Sequence, residues 1–277
     1  MDNSTLIISD LDGTLFNKLG ELNPYTISII NRLISKGYFF SIATARALES
    51  VRPLISPLNI NLPFILHNGV SIYDPINERY LQHLFIPNNL ISNFIEVFKQ
   101  HHLNPFLFGV NLKNENKVYY TRISNPAERN YVEDRLSRND PRFQKVKSLP
   151  WADIKIHEIN VLGSKSEIFP IAKEFMNKKE VGIHFSEDIY TPGFFRLEIT
   201  HPSANKKNAL LYLKRLLNVD KIICFGDASN DIPMFEIADE KYAVENAISS
   251  LKKISTKIIK SNQDNGVARF LEEKFLN

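Results

Sequence analysis

The chain has 277 residues, 43% of them apolar and 23% charged, with 34 lysines and arginines against 31 aspartates and glutamates. Such a composition excludes a disordered or fibrous polymer, and the length allows one large domain or two medium ones, each with its own core. A formal charge of +3 without a basic arm argues against a nucleic-acid partner, and no apolar run approaches a membrane span.

The opening residues "MDNSTLIISD" carry an acid at position 2 and too short an apolar run for a secretion signal, so a cytoplasmic protein is expected. "TLIIS" (5–9) reads as a short buried strand. "NPYTISIINRLISKG" follows as a helix, with Asn23 as N-cap, Pro24 at the first helical position and Gly37 as the stop. Its apolar residues Ile27, Ile30, Leu33 and Ile34 keep helical spacing. "YFFSIA" (38–43) is a second strand, "LESVRPLI" a short helix and "PFIL" (63–66) a third strand. This alternation predicts a parallel sheet covered by helices on both faces.

From about residue 84 the grammar changes. A helix ("NNLISNFIEVFKQHH") precedes two strands, "NPFLFGVNL" and "KVYYTRI", whose short "KNEN" connection suits a hairpin. A polar helix around 126–138, a strand at "KIHEINVL" and a helix at "SKSEIFPIAKEFMNK", kinked at Pro170, come next. The helix–strand–strand order at 88–123 is mirrored at 164–199 without a clear sequence repeat. "SANKKNALLYLKRLLNV" then returns to the first pattern as a helix, with Leu210, Leu213, Leu216 and Leu217 on one face. "KIICF" (221–225) is a strand and holds the single cysteine, Cys224, which reads as buried. "NDIPMFEIA" is a short helix, "KYAV" and "TKIIK" are strands, and "NGVARFLEEKFL" closes as a helix. The expected fold is α/β. A doubly wound, Rossmann-like parallel-sheet core (1–83 and 191–277) carries an inserted α/β cap (84–190) with a largely antiparallel sheet.

Four polar clusters directly follow apolar strands: "DLDGT", Thr44 with Arg46, Asn68 with Gly69, and "GDASND". The C-termini of parallel strands share one edge, and ligands bind there at the reversal of strand order. Asp10, Asp12, Thr44, Asn68, Asp227 and Asp231 should therefore converge. Four carboxylates in one crevice repel unless a cation holds them, and hard oxygen ligands suit Mg²⁺. Such a site fits a phosphate ester, and aspartate can attack phosphorus to form an aspartyl phosphate. A second carboxylate beside the first can serve as acid and then base. The plainer alternatives are a solvent-exposed turn for "DLDG", helix capping for Thr44 and Asn230, and a surface position for Lys206, with Lys207 an equally placed rival. Arg46 can pair with a carboxylate or reach a substrate. The seven histidines show no metal spacing.

"DLDGTL", the threonine of "SIATAR", the lysine of "NKKNAL" and "GDASNDIPMF" resemble, in order, the four motifs of the haloacid dehalogenase superfamily, and most closely its Cof-type sugar-phosphate phosphatases. The resemblance implies that Asp10 is the nucleophile and Asp12 the general acid and base. It implies that Asp10, the backbone carbonyl of Asp12 and Asp227 hold Mg²⁺, with Asp231 supporting. Thr44 and Lys206 would grip the phosphoryl oxygens, with Asn230 assisting, while Arg46, Asn68 and Gly69 are candidate substrate contacts. The stretch from Asp10 to Thr44 is too short for a cap, whereas that from Thr44 to Lys206 holds the whole middle segment. Ala45 and Lys207 stand where such relatives usually carry glycine, and "YAVENA" departs from their usual form before Asn246. The implied activity is hydrolysis of a small phosphorylated metabolite. A phosphomutase or phosphotransferase using the same first half-reaction is the rival enzyme, and a non-catalytic metabolite-binding protein the rival outside catalysis.

Overall fold

The computed structural model of the protein describes residues 4–188 and 190–277, so the reading of Asp2 lies outside the described residues. Two compact units divide the chain: one runs up to His83 and resumes at Ala204, and the other is Leu84–Ser203. Among the described residues no helix is long and apolar enough to cross a membrane.

The first segment opens with β1 (Thr5–Ser9), buried along its whole length, and α1 (Pro24–Ser35). The Asn23 side chain accepts from Tyr25 N and so caps α1, and Gly37 takes φ +83° just past its end. β2 (Phe39–Ile42), α2 (Leu48–Ile55) and β3 (Phe64–Leu66) follow. A hairpin of β4 (Ser71–Asp74) and β5 (Arg79–His83), absent from the sequence reading, completes the segment. Its turn is tied by Asp74 Oδ1, which accepts from Ile76 N (3.0 Å) and Asn77 N (3.2 Å).

The second unit comprises α3 (Asn88–Gln100), β6 (Phe106–Val110), β7 (Asn116–Tyr120), α4 (Pro126–Ser137), β8 (Phe143–Lys145), β9 (Lys155–Ser164), α5 (Lys165–Phe175), β10 (Gly182–Glu187) and β11 (Phe194–Thr200). Its sheet has the order β10-β11-β9-β6-β7-β8, antiparallel except between β7 and β8. The β6–β7 hairpin turns where "KNEN" predicts it: Asn111 Oδ1 accepts from Lys113 N and Glu115 N, and Asn114 takes φ +60°. Pro170 lies inside α5 without ending it, and Ser164 and Glu167 form a capping box at its start. Phe94, Phe98, Ile168 and Phe175 from α3 and α5 pack with Ile159, Val161, Leu197 and Ile199 on one face of the sheet. On the other face Ala127 and Val132 of α4 pack with Phe106, Phe108, Val118 and Leu162. The cap was expected to end at 190. The unit extends to 203 because β11 pairs with both β9 and β10, so "GFFRLEIT" belongs to the antiparallel sheet.

The chain returns to the first unit with α6 (Lys206–Leu217), β12 (Lys221–Gly226), α7 (Ile232–Phe235), β13 (Glu240–Val244), α8 (Ser249–Ile254), β14 (Lys257–Ile259) and α9 (Gly266–Phe275). In α6, Leu210 and Leu213 are buried and Leu217 packs against the core. Leu216 is 49% exposed, contrary to the expected stripe, because at 100° per residue it falls at the outer edge of the face that Leu210, Leu213 and Leu217 share. The parallel sheet has the order β14-β13-β12-β1-β2. β3 joins it through a single parallel bridge, Ala43 to Ile65, and leads into the antiparallel β3-β4-β5 sheet. Strand order reverses between β1 and β12. Their C-terminal ends are locked together there, since Asp10 N donates to Phe225 O at 3.0 Å.

Candidate active site

Asp10 follows β1 directly and is 5% exposed. Lys206, the first residue of α6, reaches it: its Nζ donates to Asp10 Oδ1 and to Asp231 Oδ1, both at 2.6 Å. Asn205 caps α6 by accepting from Asn208 N, and that cap sets the helical phase that aims Lys206 inward. Lys207, one residue on, is turned outward and pairs with Glu236 at 2.9 Å. The structure thus separates two lysines that the sequence left as equal rivals.

Asp231 is fully buried and both its oxygens are engaged: Oδ1 by Lys206, and Oδ2 by the backbone N–H groups of Asp227 (2.9 Å) and Ala228 (3.0 Å). Gly226 makes that closure possible, because a Cβ there would lie 2.7 Å from Asp231 Oδ2. Asp227 Oδ1 accepts from Thr14 Oγ1 at 2.8 Å. Gly13, at φ +80°, lets the chain pass beside the Asp227 carboxylate, where any Cβ would collide with it. The "DGT" of the first motif therefore shapes the carboxylate of the last.

Carboxylate oxygens of Asp10, Asp227 and Asp231 lie within 4.8 Å of one another. Burial raises the Asp10 carboxyl well above its usual range; Lys206 pulls it down, and Asp231 and Asp227 push it further up. Burial likewise raises Asp227 to about 6, against the hydrogen bond from Thr14. Burial alone would lower the Lys206 ammonium, but Asp10 and Asp231 override it and hold it above the usual lysine range. One ammonium among three acids leaves a net negative cradle of hard oxygen donors, which fits a divalent cation such as Mg²⁺. Asp10 Oδ2 and Asp227 Oδ2 have no hydrogen-bond partner among the described residues, so these two can ligate directly while Asp231 supports through Lys206 and the backbone.

The fourth carboxylate lies outside this cradle. Asp12 is bound by Arg46, with Nε at 2.7 Å and Nη2 at 2.6 Å, in a pair whose side chains are 49% and 27% exposed. The guanidinium also lies 5.6 Å over the Phe16 ring. Leu11 turns into the core, and the Asp12 side chain is directed to Arg46, while its charge still acts on Asp227. Thr44 is buried. Its hydroxyl accepts from Arg46 N (3.1 Å), and its backbone is fastened to β3 and to Asn68 by Thr44 N to Ile65 O and Asn68 N to Thr44 O, both 3.0 Å. Asn68, at φ +53°, accepts from Asn230 Nδ2 at 2.9 Å, so the third and fourth loops are tied across the sheet edge. Gly69, at φ +103°, packs so closely on the backbone of Asn205 that a Cβ there would lie 2.3 Å from the Asn205 carbonyl oxygen. Two polar residues not given roles beforehand complete the frame. Thr14 holds Asp227, and Asn246, just past β13, donates to Gly13 O at 2.7 Å. Both lie in loops that leave the C-terminal ends of parallel strands, Thr14 after β1 and Asn246 after β13.

Comparison with known proteins places this geometry in a family. The family model for haloacid dehalogenase-like hydrolases matches residues 7–271. A 5-amino-6-(5-phospho-D-ribitylamino)uracil phosphatase of Bacillus subtilis is 30% identical, over 96% of this chain and 96% of its own. A pyridoxal phosphate phosphatase of Escherichia coli is 25% identical, over 96% of this chain and 97% of its own. Among solved structures, a haloacid dehalogenase-like hydrolase from Bacteroides thetaiotaomicron superposes with a TM-score of 0.82 at 22% identity, covering 98% of this chain and 99% of its own.

Proposed function

The chain belongs to the haloacid dehalogenase-like hydrolases, and on that premise we propose that it is a Mg²⁺-dependent phosphatase acting on small phosphomonoesters, sugar phosphates in particular. The names of its phosphatase relatives support hydrolysis over transfer. The observation that carries the reading is the buried Asp10–Lys206–Asp231 chain with Asp227 beside it, at the reversal of strand order.

In this reading Asp10 attacks phosphorus, and the ester oxygen leaves with a proton from Asp12. Water, deprotonated by Asp12, then cleaves the aspartyl phosphate and regenerates Asp10. Bound Mg²⁺ would supply charge neutralisation that lets an anionic carboxylate approach an anionic ester. Lys206 has its ammonium between two acids, where it orients Asp10 and adds positive potential for the phosphoryl oxygens. Asp12, paired with Arg46 and half exposed, would meet the leaving group from the solvent side. Thr44 and Asn230 would face the phosphoryl group from the second and fourth loops, each fastened to Asn68. A phosphate-release screen across sugar and nucleotide phosphates, with and without chelator, tests the proposal. Release that ignores chelator removes the metal role, and no release from any ester removes the phosphatase reading.

A further inference from the structure

The sheet of the second unit ends at β8 on one side and at β10 on the other. Backbone hydrogen bonding shows which groups β10 turns outward. Asp188 N donates to Phe194 O at 2.8 Å, one step beyond the Glu187–Phe195 pair, so Asp188 belongs to a hydrogen-bonded pair. Such pairs alternate along an antiparallel ladder, so the even-numbered residues of β10 bond to β11. The N–H and C=O groups of Ile183, Phe185 and Glu187 therefore point away from the sheet, where no backbone partner meets them among the described residues. Edges of this kind are ordinarily blunted by charge, by proline, by a bulge or by short length. Three other edges obey the rule: β8 and β14 have three residues each and carry Lys145 and Lys257, and β5 opens with Arg79. β10 does not. It has six residues and an unbroken register, with no proline and no charged residue before Glu187.

One flank of α5 borders this edge. Ile168, Ile171, Ala172 and Phe175 are buried, and at 100° per residue Phe169, Lys173 and Met176 share the stripe beside them. Phe169 is 44% and Met176 51% exposed. The Phe169 ring lies 5.6 Å from that of Phe185, which puts the stripe on the β10 side. Lys165 Nζ lies 5.4 Å over Phe195, the partner of Glu187, so α5 runs against β10. With a rise of about 1.5 Å per helical and about 3.3 Å per strand residue, Lys173 stands level with Ile183. It has no ion pair among the described residues, and both acids of α5, Glu167 and Glu174, lie on the opposite flank.

We propose that β10 pairs with β10 of a second copy of this chain, antiparallel about a two-fold axis through Phe185, joining two six-stranded sheets into one. That register pairs all three outward-facing residues: Ile183 opposes Glu187 of the second copy, and Phe185 opposes itself. Side chains alternate between faces, so Glu187 of the second copy lies on the α5 face beside Lys173. The rings of Phe169 and Phe185 from both copies gather at the axis. Self-complementarity favours a copy over an unrelated strand, since β10 itself carries the acid that Lys173 lacks and the ring that Phe169 meets. A strand edge alone falls short of the about 1,200 Å² that a specific interface buries, and the apolar flank of α5 extends it.

Sedimentation equilibrium of the full-length protein tests this without reference to phosphate release. Wild type should reach twice its mass of 31.9 kDa, with a Kd below about 100 μM. Ile183→Pro removes an outward N–H while sparing the ladder to β11, and Phe169→Glu changes an exposed ring; each should raise the Kd at least about tenfold. Lys173→Glu sets two acids together at both symmetric contacts and should do the same. Adding Glu187→Lys to Lys173→Glu should return the Kd to within about threefold of wild type, which damage to the monomer does not imitate. An unchanged thermal midpoint in dilute solution checks the fold of each variant, and the wild-type mass and the charge swap decide the matter if another variant fails to fold. A monomer at about 100 μM would overturn the proposal and leave the edge to an extended segment of another protein. A dimer indifferent to these substitutions, or a charge swap that restores nothing, would overturn it as well.

Discussion

Replacing Lys206 with methionine removes an ammonium while keeping an unbranched side chain of similar length. The nitrogen lies 2.6 Å from Asp10 and 2.6 Å from Asp231, and the side chains of Lys206 and Asp231 are 0% exposed. Water does not screen this group, so the buried-pair scale applies: deleting one partner costs about 3–5 kcal/mol because the other charge stays behind. Here two carboxylates stay behind, which puts the metal-free protein near the top of that range, about 5 kcal/mol at neutral pH. For domains of this size each kcal/mol moves Tm by about 2–4 °C, so a fall of about 10–20 °C is expected. A divalent ion at a hundred times its Kd returns about 2.7 kcal/mol, so Mg²⁺ should recover roughly half of the loss. The assay is urea unfolding in chelator and again in Mg²⁺. Adding Asp231→Asn to Lys206→Met removes one stranded charge, and the double variant should be less destabilised than the sum of the singles by about 1–3 kcal/mol. A Lys206→Met protein within about 1 kcal/mol of wild type in chelator would refute the claim that this ammonium holds the acids together.

Three other outcomes follow from the same geometry. Asp10→Asn should abolish phosphate release while leaving the fold intact, since volume is conserved; release at the wild-type rate would exclude Asp10 as nucleophile. Gly13→Ala forces a side chain into φ +80° and against the Asp227 carboxylate, and it should cost about 1–2 kcal/mol in backbone strain alone. Calorimetric titration with Mg²⁺ should show its affinity lost with it, and wild-type affinity would contradict the role given to the glycine. The Asp227 carboxyl is raised from 3.8 to about 6, so the native state holds this proton more tightly than the unfolded state and loses stability as pH rises through that window. Asp227→Asn lacks this dependence. In chelator its stability relative to wild type should therefore increase from about pH 4 to about pH 6 and then level off, and a flat or falling difference would count against the buried, uncompensated acid.

Much of the first unit could be read from its sequence because each strand of the parallel sheet is a short apolar run followed at once by polar residues. That rule locates Asp10, Thr44, Asn68 and Asp227 without any knowledge of pairing. What it cannot supply is register. The "GFFRLEIT" segment has the same apolar pattern whichever sheet it joins, and only its pairing with β9 and β10 places it in the second unit. The β4–β5 hairpin was missed because its partner strands are short and its turn rests on one side chain, Asp74. Lys206 and Lys207 are equivalent as letters, and a helix start at Asn205 makes one buried and the other exposed. The Asp12–Arg46 pair joins residues remote in sequence, each of which had another plausible task. The free edge of the second unit stays hidden in the sequence for the same reason, since only the pairing of β10 with β11 shows which backbone groups it turns outward.

The contact between Gly69 and Asn205 fixes where the chain re-enters the first unit. It welds the loop leaving β3 to the residue that starts α6, main chain against main chain, where no rotamer can slacken the joint. Whatever sequence is spliced between His83 and Ala204, the returning chain is seated at the same spot, and Lys206 sets out for Asp10 from there. A change of sequence within the inserted segment therefore leaves the start of α6 where it is, and the acids and their ammonium keep their spacing.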